Sequence, residues 1–366
     1  MHEAGRLRTP PFLFFRLSGR ARNSQQEVVK KTNKRYLVCQ WTGSYHEDSK
    51  AAVRHEDSRN RNPTRRRSIM SQSRTHTHTH TQSTRQPAKV WFITGASRGF
   101  GALIARDALD RGDRVVATAR NPEAVIAVLG EHPDLLAARL DVTSEADAIA
   151  AAQEAVARFG RIDVLVNNAG YGLLGAVEEA SDVETRRQFD TNVFGLLSVT
   201  RAVLPAMRAQ GSGHVINISS IGGYASYAGW GVYGATKFAL EGITEALRQE
   251  LAPLGIHATV VEPGFFRTDF LESTSMVSTA RQIDAYADTV GAMRTMMAAA
   301  NHKQPGDPHK LSAAILRLAD SAEPPLRLPL GSDTVSKIRE TNRFVEDELA
   351  RWEDVAMSTD HDDARG

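Results

Sequence analysis

A continuous apolar run that empties into a glycine-rich turn limits this chain more than any other feature. Val90 to Ile93 is apolar throughout, the pattern of a strand buried on both faces. It leads directly into Thr94-Gly95-Ala96-Ser97-Arg98-Gly99-Phe100-Gly101. Glycines at 95, 99 and 101 let the backbone turn tightly and approach a ligand closely. Leu103, Ile104 and Ala108 follow at helical spacing. The turn therefore opens a helix whose free N–H groups and positive dipole end suit a pyrophosphate. The spacing is not Gly-x-Gly-x-x-Gly, and no Gly-Lys-Ser/Thr follows, which argues against an ATPase.

Further apolar runs follow at Val115 to Ala117, Leu135 to Leu140, Ile162 to Val166, Val215 to Ile218 and Ile256 to Val261. Stretches long enough for helices separate them. Gly112, Gly160 and Gly255 stand just before a strand, where a helix-terminating glycine belongs. Strict alternation of strand and helix predicts an α/β fold, a doubly wound parallel sheet with helices on both faces. A last strand is expected at Leu326 to Leu330, after Pro324-Pro325. One catalytic domain is expected over 88–353, with a flexible polar tail over 354–366.

Residues 1–87 read differently. Positions 1–88 hold 18 Lys/Arg against 6 Asp/Glu, a charge of +12, while the remainder carries −10. The segment includes Arg65-Arg66-Arg67 and a Thr/His repeat from Thr75 to Thr81. It lacks the apolar content that offsets ordering entropy, so a disordered basic, low-complexity extension is expected. Met70 is an alternative translation start, and the Arg-rich opening around Phe12 to Phe15 has a faint look of an organelle presequence. Nucleic-acid binding is not expected, because the basic runs lack interleaved aromatics and any binding module. Cys39 is the single cysteine, which excludes an intrachain disulfide and fits a cytoplasmic setting. No apolar run reaches the ~18 residues of a membrane span.

The second strand ends at Thr118-Ala119-Arg120-Asn121. An NAD site usually places an Asp or Glu there for the ribose 2′-hydroxyl. Arg120, with Arg98 in the loop, suits a 2′-phosphate instead. NADP(H) is therefore expected in preference to NAD(H). Downstream, Tyr233-Gly234-Ala235-Thr236-Lys237 precedes an apolar stripe of Leu240, Ile243, Leu247 and Leu251. A helix there puts Tyr233 and Lys237 on one face. An ammonium beside a phenol is expected to lower its pKa and make it a usable acid/base. No H-E-x-x-H helix and no clustered cysteines are present, so no metal is expected.

The glycine loop, Asn167-Asn168-Ala169-Gly170, Ser219-Ser220 and Tyr233…Lys237, in this order and spacing, resemble the short-chain dehydrogenase/reductase family over roughly residues 88–275. The resemblance implies a Rossmann-type fold. It also implies catalytic roles for Asn192, Ser220, Tyr233 and Lys237. Ser220, 13 positions before Tyr233, would polarise the substrate oxygen, with Ser219 as the neighbouring alternative. Asn192, in Asp190-Thr191-Asn192-Val193-Phe194-Gly195, would support a proton relay. Cofactor contacts would come from Gly95, Ser97, Arg98, Gly99, Gly101, Arg120, Asp141, Val142, Asn168, Ala169, Gly170, Tyr233, Lys237, Pro263, Gly264 and Thr268. Homodimers or homotetramers formed by helix pairing are common in the family, so one is expected here.

The stretch after Pro263-Gly264, about 264–310, would form a substrate lid. Phe265, Phe266, Phe270, Met276, Tyr286, Met293, Met296 and Met297 lie in it, and Tyr224, Tyr227 and Trp230 lie before the tyrosine. This soft apolar set points to a hydrophobic ketone, aldehyde or alcohol. The function expected is an NADP(H)-dependent carbonyl reductase or alcohol dehydrogenase. A catalytically silent NADP(H)-binding sensor of the same fold is the alternative.

Overall fold

The computed structural model describes residues 88–364. The basic extension, with Cys39, Met70 and the Thr/His repeat, lies outside the described residues. From Val90 the chain alternates strand and helix. β1 (Val90–Thr94), α1 (Gly99–Asp110), β2 (Arg114–Ala119), α2 (Pro122–Leu129), β3 (Leu135–Arg139) and α3 (Glu145–Phe159) form the first half. β4 (Val164–Asn167), β5 (Gly172–Leu174), α4 (Asp182–Phe189), α5 (Gly195–Gln210), β6 (Gly213–Ile218), α6 (Gly231–Leu251) and β7 (Ile256–Pro263) follow. β8 (Met276–Ser278), α7 (Ala292–Ala300), α8 (Pro308–Ala319), β9 (Arg327–Leu330) and α9 (Ser332–Met357) complete it.

The main sheet runs β3-β2-β1-β4-β6-β7-β9, and every adjacent pair is parallel. Side chains alternate across it, as strand geometry requires. Val90 and Phe92 pack under α3, α5 and α6 with Ala148, Val199 and Leu247. Trp91 and Ile93 face α1, α2 and α8, against Ile104, Val125 and Ile315. The doubly wound reading therefore holds, and the two-sided burial explains why the strands are continuously apolar.

The chain steps outward from β1 to β3, then returns to lay β4 on the other side of β1. That reversal opens a crevice at the carboxyl ends of β1 and β4, where open parallel sheets hold ligands. The glycine loop and Asn168–Gly170 both emerge there. Gly95 has φ +66°, and a Cβ on Gly101 would lie 2.5 Å from the Gly95 carbonyl oxygen and 2.7 Å from Asn168 Nδ2. Only glycine fits at 101 without moving backbone.

Three features depart from the sequence reading. β5 and β8 pair in a small second sheet that ties the lid to the crevice floor. Asp190–Phe194 forms a π-helical turn between α4 and α5. The last helix does not end at 353 but continues through Met357, and a further turn covers Asp362–Ala364. Polar composition suggested a frayed end there, yet Ala350, Leu349 and the many Glu and Arg residues are good helix formers. No helix among the described residues is long and apolar enough to cross a membrane.

Gly101→Ala should destabilise the fold by about 1–3 kcal/mol, the usual cost of forcing an extra methyl into a packed site. Thermal unfolding of the two proteins checks this. A variant that melts with the wild type would mean the loop relaxes around the methyl.

Candidate active site

A cleft of about 1070 Å³ runs along the carboxyl edge of the sheet. Thr94 builds its floor. The Thr94 hydroxyl oxygen accepts from the backbone N–H groups of Asn168 and Ala169, each at 2.9 Å. Asn168 Nδ2 in turn donates to the carbonyls of Thr94 at 2.9 Å and Gly95 at 3.2 Å. The β1 and β4 turns are thus locked together, and Gly95, Ser97, Arg98, Gly99, Asn168, Ala169 and Gly170 all line the cleft. Gly101 stands behind the loop, not on the cleft wall. Its part is to let the loop close.

At one end, Arg120, Asp141 and Val142 line the wall. Asp141 accepts from Thr143 N at 3.0 Å and from its hydroxyl at 2.7 Å. The Thr143 hydroxyl bond, with the nearby Arg120 and Arg139 charges, holds its carboxyl below the usual range. Asp141 therefore shapes the turn after β3, while Ser144 caps α3. Arg98 does not pair with Arg120's end of the cleft. Its Nη2 donates to the Thr274 carbonyl on the lid at 2.7 Å.

At the other end, the first turns of α6 bring Tyr233 and Lys237 onto one wall with Ser220. Lys237 Nζ sits 5.6 Å from the centre of the Tyr233 ring and donates to the Ile218 carbonyl at 2.9 Å. Asn192 lies in the π turn, buried. Its Oδ1 accepts from Tyr171 N at 3.1 Å, and its Nδ2 donates to the Tyr171 carbonyl at 3.0 Å and Thr236 Oγ1 at 3.1 Å. Asn192 does not appear on the cleft wall itself. It fixes Thr236, between Tyr233 and Lys237, and its Oδ1 is the nearest neighbour a Gly170 side chain would meet.

The expected depression of the tyrosine pKa is not found in the ligand-free protein. Burial pushes the Tyr233 phenol up to about 12, and the Ser220 hydrogen bond opposes this only in part. Burial also pulls Lys237 down to about 8, against the pull of Glu241. The ammonium is spent on a main-chain carbonyl over the ring, so desolvation wins.

With this geometry in place, likeness to known proteins becomes informative. The profile of the short chain dehydrogenase family matches residues 89–277. The chain belongs to that family. Oxidoreductase BOA17 of Botryotinia fuckeliana is 36% identical over 273 residues, 74% of this chain and 99% of the relative. A 3-ketodihydrosphingosine reductase of Bacteroides thetaiotaomicron is 38% identical over 244 residues, 66% and 88% of the two chains. A short-chain dehydrogenase from Streptomyces avermitilis superposes with TM-score 0.70 at 45% identity, covering 75% of this chain and all of the other. A Burkholderia phymatum member in complex with NAD gives 0.63 at 25% identity, covering 71% and 95%. NADP-bound ElxO gives 0.57 at 26%, covering 68% and 99%.

Behind the catalytic wall this dehydrogenase carries a charged cluster that the motifs did not reveal. Ser219, the alternative to Ser220, turns inward and donates to Glu241 Oε1 at 2.6 Å. Arg327 on β9 grips Glu241 and also Glu262, the latter at 3.0 Å. Burial pushes Glu241 up to about 7 and raises Glu262 as well. Two buried carboxyls facing one guanidinium hold a proton near neutrality. The available signal was Glu241 itself, a charge one turn past Lys237 on the buried side of α6.

The lid of the dehydrogenase is aromatic where it meets the cleft and sulfur-rich behind. Pro263, Gly264, Thr268, Phe265, Phe266, Phe270, Tyr227 and Trp230 line it, whereas Met276, Met293 and Met297 pack in a cluster behind them. Met296 is exposed, and Tyr286 and Tyr224 point to Glu178 and Asn342. Asp333 at the start of α9 accepts from Phe265 N at 2.7 Å and pins the turn after β7.

The Glu241 proton gives a test. In the unfolded chain the carboxyl ionises near 4.5, in the fold at about 7. Its contribution is complete below the lower value and is lost as pH rises through the upper. Glu241→Gln keeps a neutral side chain, so its melting temperature should gain on the wild type from pH 5 to pH 8. A constant gap would mean that Glu241 is ionised throughout.

Proposed function

We propose that this short-chain dehydrogenase is an NADP(H)-dependent carbonyl reductase or alcohol dehydrogenase, with Tyr233 as acid/base and a hydrophobic ketone, aldehyde or alcohol as substrate. The observation that carries the reading is the convergence of Tyr233, Lys237 and Ser220 on one wall at the far end of a glycine-floored cleft. The cleft fits a dinucleotide. Its floor is main chain, close enough that side chains at Gly95 or Gly101 would strike neighbouring atoms.

A bound nicotinamide supplies or accepts the hydride. The chain's own residues do the rest. The Tyr233 phenol, held protonated by burial, gives its proton to the substrate oxygen during reduction and takes one during oxidation. Ser220 Oγ lies beside the phenol, and we assign it the second hydrogen bond to that oxygen. Lys237 becomes free to hold the cofactor ribose when it leaves the Ile218 carbonyl. Asn192 keeps the tyrosine and lysine turns aligned through Thr236. The buried phenol suits the reductive direction, since reduction needs the protonated form.

Arg120 supports NADP(H), because it stands where an NAD site places an acid. Arg98 takes a different part, clamping the lid at Thr274 across the cofactor groove. Tyr227, Trp230, Phe265, Phe270 and Leu271 make the substrate wall apolar, and a relative named for a ketone accords with that. The single cysteine suits the cytoplasm.

Tyr233→Phe should lower turnover by at least a thousandfold while leaving NADPH affinity within about threefold, as read by NADPH fluorescence and absorbance assays. Parallel loss of both would assign Tyr233 a structural part. A wild-type protein that binds NADPH but turns over no member of a broad carbonyl panel would favour the sensor. Arg120→Asp should invert the preference toward NADH, and an unchanged ratio of the two kcat/KM values would remove Arg120 from the 2′-phosphate site.

A further inference from the structure

Buried polar atoms without partners are uncommon in folded proteins, and each implies a missing contact. Among the described residues, seven have such a side-chain atom: Asn167, Gln188, Glu262, Arg294, Asn301, Gln304 and Ser312. Gln304 differs from the other six in two ways. Both its amide oxygen and its amide nitrogen are unpartnered, and it is the one of the seven that lines the cleft. It is 2% exposed, so bulk water does not serve it.

The backbone fixes where this side chain stands. The Gln304 carbonyl accepts from Arg267 Nε at 3.3 Å and Nη2 at 3.2 Å. Two residues on, Gly306 N donates to the Phe265 carbonyl at 2.9 Å, and the Gly306 carbonyl accepts from Arg267 N at 2.9 Å. The segment is thus laced to the strand that leaves Pro263-Gly264. Phe266 on that strand packs edge-on against Phe100 of the glycine loop, ring centres 5.6 Å apart. Gln304 cannot swing out to solvent without undoing this lacing.

We infer that Gln304 is a cofactor-recognition residue whose amide pairs reciprocally with the carboxamide of the bound nicotinamide. The inference rests on the nicotinamide reading above. An amide offers one acceptor and two donors. A phosphate oxygen would satisfy its nitrogen alone and leave the oxygen orphaned. A second amide satisfies both. Leaving such a group unpaired is costly, so the ligand-free protein carries a polar group that the ligand relieves.

The test separates this inference from the function it builds on. NADPH binding to the full chain is measured by fluorescence titration, alongside 2′-phospho-ADP-ribose, which keeps the phosphates and lacks the nicotinamide. Gln304→Met, matched in length and apolar, should weaken NADPH about tenfold and leave 2′-phospho-ADP-ribose unchanged. Its ligand-free melting temperature should equal or exceed the wild type's, because the orphaned amide is gone. Gln304→Glu keeps only acceptors and should show an intermediate loss for NADPH at pH 7.

Equal NADPH affinity in Gln304→Met and wild type overturns the inference, as does an equal loss for both ligands, which would place the amide at the phosphates. A lower melting temperature with unchanged affinity assigns Gln304 to packing and overturns it too. If the wild type binds neither NADPH nor NADH, the nicotinamide reading itself fails, a separate result.

Discussion

Thr94 holds the site together. It is the last residue of β1, and its hydroxyl receives two main-chain N–H groups from the turn after β4. Asn168 answers by donating to the two carbonyls that follow β1. These bonds cross the point where the sheet reverses its order, so the crevice cannot widen or slide. The glycine requirement follows from them. With Asn168 drawn this close, position 101 has no room for a methyl. The cofactor floor is therefore rigid main chain, and rigidity there lets the lid carry the variation.

The catalytic corner shows a contest between two effects that act on the same proton. Proximity of an ammonium should favour phenolate. Removing the phenol from water favours the neutral form, and here removal is complete. Lys237 cannot tip the balance while its Nζ is bonded to the Ile218 carbonyl. The lysine's own charge is weakened by the same burial, and Glu241 behind it partly restores it. Binding of a ligand that draws Lys237 off that carbonyl would alter both groups at once. The acid/base character of Tyr233 is thus a property of the assembled site more than of the pair alone.

Much of the fold was legible in the sequence because its strands are buried on both faces. Val90–Ile93 and Val215–Ile218 could not be surface strands, and glycines at 112, 160 and 255 marked where helices stop. The residues of the site were legible where chemistry demands a side chain at fixed spacing, as for Tyr233 and Lys237 or Ser220. What stayed hidden comes from long-range packing. The π turn at Asp190–Phe194 leaves no local signature, because it depends on Asn192 finding Tyr171 and Thr236. The Glu241–Arg327 contact spans 86 residues, and Asp333 reaches back 68 residues to the turn after β7. Periodicity cannot announce such pairs. The helix through Met357 was missed for another reason. Its residues from Asn342 onward are exposed, so it lacks the one-sided burial on which periodicity depends.

Arg98 illustrates how the same residue type can change its part with context. Composition suggested two arginines sharing one phosphate. The structure separates them, sending Arg98 to the Thr274 carbonyl on the lid and leaving Arg120 beside Asp141. A guanidinium offers several donors in one plane, so it can bridge loop and lid at once. The lid then has two polar ties to the body, Arg98 at Thr274 and Asp333 at Phe265, on either side of an otherwise aromatic contact. Closure by two directional bonds around an apolar wall keeps the entrance adaptable in shape while fixing its hinge. A dehydrogenase built this way can vary its substrate through Phe265, Phe270 and Trp230 without disturbing the floor on which its cofactor depends.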